Sequence, residues 1–478
     1  MRIMMVASES APLAKTGGLA DVVYSLSKEL SVLGEEVSVV MPFYGAINKD
    51  IGSEIRFVSN VQVQLSWRCQ NAKIYKTFVD GITFYLIENE YYFGREGFYG
   101  YADDTERFAF FTVAVRNMLV SLKLRPDILH VHDYHAGMLP ALIKIQNKKN
   151  AQFRRMKYVV TIHNPAFQGE FGPELLEDFY DIRKSYYDDG TLRYRDKVNS
   201  LKAAIVHADK INTVSPTHAL ELLTREGSKG LDGIINLRRD DFSGILNGID
   251  YDEFNPETDT NIPHLFSLKS TANKKRNKEE LLREFNLTVK ANQPLFSMVS
   301  RLTWQKGMDL MLAGAYEVLA KGAAVIVLGS GEYGYEQALE ELRRQYPEQV
   351  GIYIGYNNSL AHRIYAASDF FMMPSLFEPC GIGQMIAQRY GTLPIVRATG
   401  GLKDTIISYD GMNENKADGF SFDNYDEYWM KLTMNYAFDT YQDTKTMDKL
   451  VDNAMTKNNH WREAAKKYLA LYKEARSV

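Results

Sequence analysis

The sequence predicts an α/β protein built from two doubly wound domains, and three observations carry that prediction. Short apolar strand segments alternate with helical patterns along the chain, in two successive sets. The strand segments are apolar at consecutive positions, which is typical of parallel strands buried on both faces. The chain has 478 residues, whereas single hydrophobic cores stop growing at roughly 250–300 residues. Two large domains are therefore expected.

The first set of strands and helices begins at the amino terminus. Arg2–Ala7 is predicted to be a strand, and the apolar spacing from Leu19 to Leu33 predicts a helix that ends at Gly34. The second strand is Val37–Met41. Further strands of the same buried type are predicted at Asp127–His132, Tyr158–Ile162 and Lys210–Val214.

The second set repeats the pattern after a polar stretch. Its predicted strands are Leu295–Ser300, Ala323–Leu328, Val350–Ile354, Phe370–Met373 and Leu393–Val396. We place the domain junction near residues 242–250, which gives domains of residues 1–242 and 243–460 and a terminal helix at residues 461–478. A basic cluster precedes the second set and is predicted to be the solvated start of a helix, because three glutamates follow it; its members are Lys274, Lys275, Arg276 and Lys278.

Composition excludes several classes of function. Fifty-six Lys and Arg residues against sixty Asp and Glu residues give a formal charge of −4, which argues against a protein that coats nucleic acid or an anionic membrane. Only two cysteines are present, too few for a disulfide framework. Apolar stretches are shorter than the roughly 18 residues that a membrane helix needs. We therefore expect a cytoplasmic protein with no nucleic-acid or membrane partner.

Residues suited to an anionic ligand follow the predicted strands, where doubly wound domains bind ligands. Lys15, Gly17 and Gly18 follow the first strand, so backbone amides could approach a phosphate beside a mobile cation. In the second half, Arg301 and Lys306 share one loop and could converge on the same anion. This arrangement favours a diphosphate clamp.

Glu378 follows a later strand of the second half, where its carboxylate could accept hydrogen bonds from sugar hydroxyls. The amides that follow it, up to Gly383, would form an anion-binding helix start. A Glu that only caps this helix is the alternative. Cys380 is either a reactive thiol or a small packed residue.

Two motifs suggest a dinucleotide site and a metal site, but we favour a different interpretation of each. Gly329–Gly334 matches G-x-G-x-x-G, but no acidic residue ends the next strand to hold a ribose; a glycine turn is therefore favoured over dinucleotide binding. His130, His132 and His135 cluster at another strand end and raise the possibility of a metal site. Asp133 and His163 are better interpreted as polar groups at the mouth of the first domain's ligand site.

Together these motifs resemble those of bacterial glycogen synthases and plant starch synthases, a family of retaining glycosyltransferases. The resemblance runs along essentially the whole chain and is most specific where Lys-Thr-Gly-Gly-Leu is combined with Glu-Pro-Cys-Gly. The matching segments are 15–19, 130–133, 163–164, 247–250, 301–302 with 306–307, 378–381, 391–394 and 399–402.

The resemblance implies the GT-B fold: two Rossmann-like domains facing across a deep cleft, with the terminal helix returning to pack on the first domain. The first domain would take the acceptor glucan and the second the nucleotide sugar. The implied reaction moves glucose from ADP-glucose to the non-reducing end of an α-1,4-glucan, such as glycogen or maltooligosaccharides. The α configuration is retained and ADP is released, with no metal and no other cofactor.

The resemblance also implies roles for individual residues. Arg301 and Lys306 would neutralise the departing diphosphate, Glu378 would hold the glucosyl 3- and 4-hydroxyls, and His163 would lie by the 6-hydroxyl. Asp133 would lie near the anomeric carbon, and these five form the implied catalytic set. The implied donor-binding set is Lys15, Gly17, Gly18, Asp21, Asn247, Tyr356, Cys380, Gly381, Ile382 and Gly383.

Two departures and two rival functions complete the prediction. Ile386 stands eight residues after Glu378, so the paired-glutamate pattern of the wider GT-B superfamily is incomplete. Gly383 stands where many family members have Thr or Ser, which removes a hydroxyl near the implied phosphates. The nearest alternative is the same fold and chemistry with UDP-glucose or another acceptor. A different class is a catalytically silent glucan-binding protein.

Overall fold

The computed structural model describes residues 1–270 and 272–477. The chain divides into two compact units. Unit 1 comprises Met1–Asn247 together with the terminal segment that begins at Trp461, and unit 2 comprises Gly248–His460. Thr271 and Val478, which the predicted second domain and terminal helix include, lie outside the described residues.

Unit 1 is built on a nine-stranded sheet of order β12-β11-β7-β6-β1-β2-β5-β4-β3, accompanied by a small antiparallel sheet of order β8-β10-β9. Its strands are β1 (Arg2–Val6), β2 (Glu36–Pro42), β3 (Arg56–Leu65), β4 (Arg68–Val79), β5 (Ile82–Glu88), β6 (Ile128–His132), β7 (Lys157–Ile162), β8 (Glu170–Phe171), β9 (Arg193–Tyr194), β10 (Lys197–Asn199), β11 (Lys210–Thr213) and β12 (Phe242–Gly244).

Helices follow these strands and cover the sheet. They are α1 (Gly18–Val32), α2 (Glu90–Phe93), α3 (Asp104–Ser121), α4 (Leu139–Gln146), α5 (Leu175–Tyr180), α6 (Ser185–Asp188), α7 (Ser200–His207), α8 (Pro216–Leu222) and α9 (Asp232–Leu237), with 3₁₀ turns at Tyr134–Ala136 and Arg239–Asp241. Strands β1, β6 and β7 are almost wholly buried, as their continuous apolar sequences predict.

The predicted strands of the first half are confirmed to within one or two residues, but a hairpin was not predicted. Strands β3 and β4 pair antiparallel, and β4 continues antiparallel onto β5 at the edge of the sheet. In β3, Val61, Val63 and Leu65 are buried while the residues between them are exposed. This alternation is the sequence signal of a half-buried strand.

Unit 2 is built on a six-stranded parallel sheet of order β15-β14-β13-β16-β17-β18. Its strands are β13 (Leu295–Val299), β14 (Ala324–Gly329), β15 (Val350–Ile354), β16 (Phe370–Met373), β17 (Leu393–Arg397) and β18 (Phe420–Phe422). Its helices are α10 (Ala272–Glu284), α11 (Met308–Ala320), α12 (Tyr333–Gln345), α13 (Asn358–Ala367), α14 (Gly383–Arg389), α15 (Gly400–Thr405), α16 (Glu427–Tyr441) and α17 (Thr444–Thr456), and Trp304–Lys306 forms a 3₁₀ turn. The five predicted strands are confirmed.

The prediction of a solvated basic cluster at the start of α10 holds for Lys275 and Arg276, which are exposed, but is wrong for the other two lysines. Lys278 is 3% exposed and forms a 2.6 Å ion pair with Asp369. Lys274 donates to Thr392 and to backbone carbonyls, among them that of Tyr390, and burial lowers its pKa to about 7. The two lysines are four residues apart and lie on the inner face of the helix with Leu281. Charge density alone did not reveal this face.

The terminal helix α18 (Trp461–Ser477) packs within unit 1. Tyr468 and Tyr472 are fully buried, and the Tyr472 hydroxyl lies 2.8 Å from Nδ1 of His130 on β6. Tyr468 receives a hydrogen bond from Asn212 on β11. The end of the chain therefore completes the core behind the strands that lead to the candidate site. None of the described helices is both long and apolar enough to cross a bilayer.

Candidate active site

In unit 1, the predicted site residues follow three neighbouring parallel strands. Strands β7, β6 and β1 are adjacent in the sheet. Their carboxyl ends lead to His163, to Asp133 and to the loop that ends at Gly18. Parallel strands end at the same edge of a sheet, so the fold gathers these residues there.

The loop after β1 is organised by a carboxylate that the sequence analysis did not single out. Glu9 is buried and accepts hydrogen bonds at 2.7 Å from both the backbone amide and the hydroxyl of Thr16. Burial raises the pKa of Glu9, and the two Thr16 hydrogen bonds oppose that shift. Next to Thr16, the Lys15 ammonium forms a 2.7 Å ion pair with Asp21 in the first turn of α1.

The two glycines of this loop leave open space at the start of α1. Gly17 is the N-cap of α1, and no side chain in the described chain caps it. A Cβ placed at Gly18 would meet nothing within 4 Å, and one at Gly17 would meet only a Glu9 oxygen at 3.9 Å. Packing therefore does not require these glycines, which supports the predicted close approach of a ligand to the backbone.

Asp133 stands in a strained and buried position directly after β6. Its φ of 56° is uncommon for a residue with a side chain. One carboxylate oxygen accepts the backbone amides of His163 at 2.7 Å and Asn164 at 3.4 Å. Burial raises the pKa of Asp133 to about 7, and the two amides partly offset that effect. Strain of this kind is often found at functional sites.

His163 belongs to a cluster of uncharged histidines. Its Nε2 lies 2.9 Å from Nδ1 of His132, and the His132 ring packs on His130 with ring centroids 4.2 Å apart. Burial lowers the pKa of His163 and of His130 to about 3. Both ring nitrogens of His130 contact protein groups, on Tyr472 and Thr161. Among residues 1–270 and 272–477, no group of three or more His, Cys, Asp or Glu side chains is arranged to hold a metal ion.

In unit 2, the loops after β13 and β16 bring two predicted residues together. The Lys306 ammonium lies 2.5 Å from a Glu378 carboxylate oxygen, and Ser375 donates to the same oxygen at 3.2 Å. Glu378 is buried, whereas Lys306 is half-buried. Arg301 is exposed, and in the part of the chain that the structure describes its guanidinium makes no hydrogen bond or ion pair. These strands are neighbours in the sheet, which explains the contact across 72 residues of sequence.

The segment after Glu378 owes its glycines to close packing. Gly381 has a φ of 70°, and a Cβ there would lie 2.7 Å from a Gln384 side-chain oxygen. At Gly383, the first residue of α14, a Cβ would lie 3.1 Å from the Phe371 ring. Cys380 is buried and Ile382 is the N-cap of α14. Crowding at Gly383 therefore leaves little room for a side chain at the start of α14.

The G-x-G-x-x-G segment also has a packing explanation. A Cβ at Gly329 would overlap the carbonyl oxygen of Ser300, and one at Gly331 would overlap that of Leu302. The loops after β13 and β14 thus touch backbone to backbone, and Leu302 forms a bridge with Gly331. This contact supports the glycine-turn interpretation.

The two remaining predicted donor-binding residues are Asn247 and Tyr356. Asn247 is the last residue of the first segment of unit 1, and its buried side-chain oxygen has no hydrogen-bond partner in the described chain. Tyr356 follows β15 and is 81% exposed. Sequence reasoning missed Glu9 and Ser375, because nothing in their local sequence distinguishes them from ordinary loop residues.

Comparison with known proteins identifies the family. Residues 2–237 match the family described as "Starch synthase catalytic domain", and residues 281–467 match "Glycosyl transferases group 1". A glycogen synthase from Clostridium beijerinckii is 44% identical over 99% of both chains. The chain belongs to the glycogen and starch synthase family. A glycogen synthase from Bacillus cereus is 43% identical, again over 99% of both chains.

Solved structures agree with this membership. The catalytic domain of starch synthase IV from Arabidopsis thaliana, bound to ADP and acarbose, has a TM-score of 0.93 and 32% identity, covering 100% of this chain and 99% of that one. Sucrose-phosphate synthase from Thermosynechococcus elongatus has a TM-score of 0.63 at 15% identity over the full length of both chains, and shows the fold alone. The glycogen and starch synthase family has the GT-B fold, and the predicted fold class is confirmed.

Proposed function

We propose that this protein is a glycogen synthase that transfers glucose from ADP-glucose to the non-reducing end of an α-1,4-glucan, with retention of the α configuration and release of ADP. The observation that carries the proposal is 44% identity to a glycogen synthase over 99% of both chains. The solved neighbour that binds ADP supports the adenine nucleotide. Glycogen and maltooligosaccharides are the expected acceptors, and no cofactor is required.

The first task of such a site is to stabilise the leaving ADP. As the glycosidic bond breaks, negative charge builds on the diphosphate, so fixed cations stabilise the transition state more than the bound donor. We assign this role to Arg301 and Lys306 in unit 2 and to Lys15 with the Gly17 and Gly18 backbone in unit 1. Asp21 pairs with Lys15 and would hold it in place.

In this proposal the Lys306–Glu378 ion pair of unit 2 contacts both the diphosphate and the glucose of the donor. Lys306 is already oriented by Glu378 at 2.5 Å, so its ammonium is fixed before a diphosphate arrives. The remaining acceptor capacity of the Glu378 carboxylate would receive the 3- and 4-hydroxyls of glucose. Cys380, Gly381, Ile382 and Gly383 would contribute backbone to the phosphates, while Asn247 and Tyr356 would contact the rest of the donor.

Unit 1 would recognise the sugar through uncharged groups. His163 is neutral near pH 7, because burial lowers its pKa to about 3, so it would hydrogen-bond the 6-hydroxyl without attracting the phosphates. Asp133 would lie near the anomeric carbon. One of its two carboxylate oxygens accepts the amides of His163 and Asn164, which orients the side chain, and the role assigned to it is positional and electrostatic. We therefore expect no glucosyl-enzyme intermediate.

A coupled assay of nucleotide release tests the proposal. With glycogen as acceptor, ADP-glucose should be the better donor by kcat/KM, and new α-1,4 linkages should appear. Equal or faster transfer from UDP-glucose would overturn the donor assignment. Because the composition is mildly acidic and the relatives are bacterial glycogen synthases, we further propose a cytoplasmic enzyme without nucleic-acid or membrane partners.

Replacing a cationic residue distinguishes an enzyme from a catalytically silent glucan-binding protein. Arg301→Ala should reduce transfer strongly while leaving co-sedimentation with glycogen intact. If wild-type protein binds glycogen but transfers no glucose from either donor, the binding-protein alternative is favoured.

A further inference from the structure

The histidine cluster of unit 1 is connected by specific hydrogen bonds to its ring nitrogens. Two buried histidines, His130 and His132, lie behind His163, and hydrogen bonds connect the cluster to α18 and β11. His130 and His132 were not assigned a role in the proposed reaction. Groups that can only donate or only accept a hydrogen bond fix the direction of the other hydrogen bonds in this network.

The outer part of the network fixes the proton of His130. The Asn212 amide nitrogen faces the Thr213 carbonyl at 3.4 Å and the Tyr468 hydroxyl at 3.0 Å, so the Asn212 oxygen faces the Thr161 hydroxyl at 2.7 Å. A side-chain amide oxygen only accepts, so the Thr161 hydroxyl donates to Asn212.

The Thr161 hydroxyl proton is thereby used, and the hydroxyl must accept from Nε2 of His130 at 2.6 Å. His130 is then protonated on Nε2, and its Nδ1 accepts from the Tyr472 hydroxyl at 2.8 Å. Both nitrogens of this ring are satisfied, and the ring is held from two sides. It forms a fixed surface on which the His132 ring packs, with centroids 4.2 Å apart and planes inclined by 33°.

The inner pair has two possible arrangements, and burial decides between them. Either Nδ1–H of His132 donates to Nε2 of His163, or Nε2–H of His163 donates to His132. In the second arrangement His132 would carry its proton on Nε2, and that atom is buried with no hydrogen-bond partner among the described residues. A buried N–H without an acceptor is rarer and more costly than a bare acceptor. The first arrangement is favoured.

We infer that His132 is a positioning residue that donates its Nδ1–H to Nε2 of His163 and so holds His163 in the tautomer that carries its proton on Nδ1. This inference rests on the proposed function for its catalytic consequence. In that tautomer His163 offers an N–H donor to an oxygen of the donor sugar. Within the described chain, Nδ1 of His163 makes no hydrogen bond, and the side chain is only half-buried, so this donor remains available.

The tautomer can be measured without any reaction. Full-length protein labelled with ¹⁵N in histidine gives ring correlations that distinguish Nδ1–H from Nε2–H, and His163→Asn identifies the His163 signals by their loss. We expect a protonated Nδ1 and an unprotonated Nε2 on His163 in the wild type. The reverse pattern would overturn the inference, whether or not the protein transfers glucose.

Donor discrimination tests the consequence for the proposed reaction. His132→Leu removes the donor, whereas His132→Asn keeps an amide N–H near the position of Nδ1. We compare kcat/KM for ADP-glucose and for the same donor with a 6-deoxy sugar. The ratio of kcat/KM for ADP-glucose to kcat/KM for the 6-deoxy donor should fall about tenfold in His132→Leu, as expected when one hydrogen-bonding group is lost. This ratio should recover in His132→Asn.

The matched control is His218→Leu, which removes another buried histidine of unit 1 with one bonded and one unpartnered nitrogen. It should lower thermal stability to a similar extent and leave the ratio unchanged. An unchanged ratio in folded His132→Leu, or an equal fall in His218→Leu, would overturn the positioning role. If the wild type transfers no glucose at all, the proposed function fails and the spectrum alone decides the tautomer.

Discussion

The two units prepare their candidate site groups in opposite ways. In unit 1, burial favours the uncharged forms of the site residues: the pKa of Asp133 is raised to about 7 and that of His163 is lowered to about 3. In unit 2, Lys306 and Glu378 form an ion pair and Arg301 is exposed. Lys15 is the charged exception in unit 1, and it is paired with Asp21. Neutral groups suit a hydroxyl-rich sugar, and cations suit a diphosphate.

Removing the Lys306 ammonium of unit 2 tests the division of roles between the two units most directly. Lys306→Ala should reduce kcat/KM for glucose transfer by about 10³-fold, because one preorganised group aimed at developing charge is worth roughly that factor. The assay is ADP release with glycogen as acceptor. Lys321→Ala is the control, since Lys321 is a surface lysine paired with Asp439 on unit 2. Activity within tenfold of the wild type would contradict the division of roles between the units.

The burial of Asp133 in unit 1 predicts a distinct pH dependence of stability. Its folded pKa of about 7 lies above the ordinary 3.8, so the folded state holds the proton more tightly. The stability that this provides is present at low pH and is lost as pH rises through 7. Asp133→Asn keeps the acceptor oxygen without the charge. Its unfolding free energy relative to the wild type should rise by about 2–3 kcal/mol between pH 5 and pH 8.

Denaturant titrations at several pH values measure the difference in unfolding free energy between Asp133→Asn and the wild type. A difference that does not change with pH would show that burial does not disfavour the charged carboxylate. The same variant tests the chemistry. Asp133→Asn should lose much of the transfer activity, and intact mass spectrometry of the wild type during turnover should find no covalent glucosyl adduct. A glucosylated Asp133 would overturn the positional role assigned to it.

Glycines give a third comparison between the units. Gly18 has no neighbour within 4 Å of an added Cβ, whereas a Cβ at Gly329 would overlap the Ser300 carbonyl. Gly18→Ala should therefore keep the thermal unfolding temperature while the KM for ADP-glucose rises about tenfold or more, the cost of losing roughly one hydrogen bond. Gly329→Ala should instead destabilise unit 2 by about 1–3 kcal/mol. An unchanged KM in Gly18→Ala would contradict the assignment of Gly18 to ligand approach, and an unchanged unfolding temperature in Gly329→Ala would contradict the packing role of Gly329.

The sequence was most informative where one physical constraint acts on consecutive residues. Strands buried on both faces are apolar throughout, and the five strands predicted in each half are confirmed to within one or two residues. Three further parallel strands, β5, β12 and β18, were not predicted. The edge hairpin β3–β4 shows alternation instead and was missed. Lys278 was assigned to solvent because charge density does not reveal which helix face is buried, and its Asp369 partner lies 91 residues away.

Individual candidate site residues could be predicted from the sequence, but the contacts between them could not. The strand ends indicated Lys306 and Glu378 separately, yet their contact depends on the neighbouring positions of β13 and β16 in the sheet. Glu9 was missed because its role depends on burial and on Thr16, seven residues later. The positive φ of Asp133 has no sequence signal, since any residue with a side chain is unfavourable there.

The smallest expected effect concerns another neutral histidine of unit 1. Burial lowers the pKa of His135 to about 3, and its ring stacks on Tyr134 with centroids 3.9 Å apart. A histidine whose folded pKa is depressed contributes stability above its unfolded pKa near 6.5 and loses it as pH falls, here by about 2 kcal/mol between pH 7 and pH 5. His135→Phe keeps a ring in that space and cannot titrate, so its stability should fall less than that of the wild type over this interval. Melting temperatures at pH 5, 6 and 7 measure the difference. Parallel curves for the two proteins would mean that His135 takes up its proton in the folded state, and unit 1 would then not maintain its histidines in neutral form.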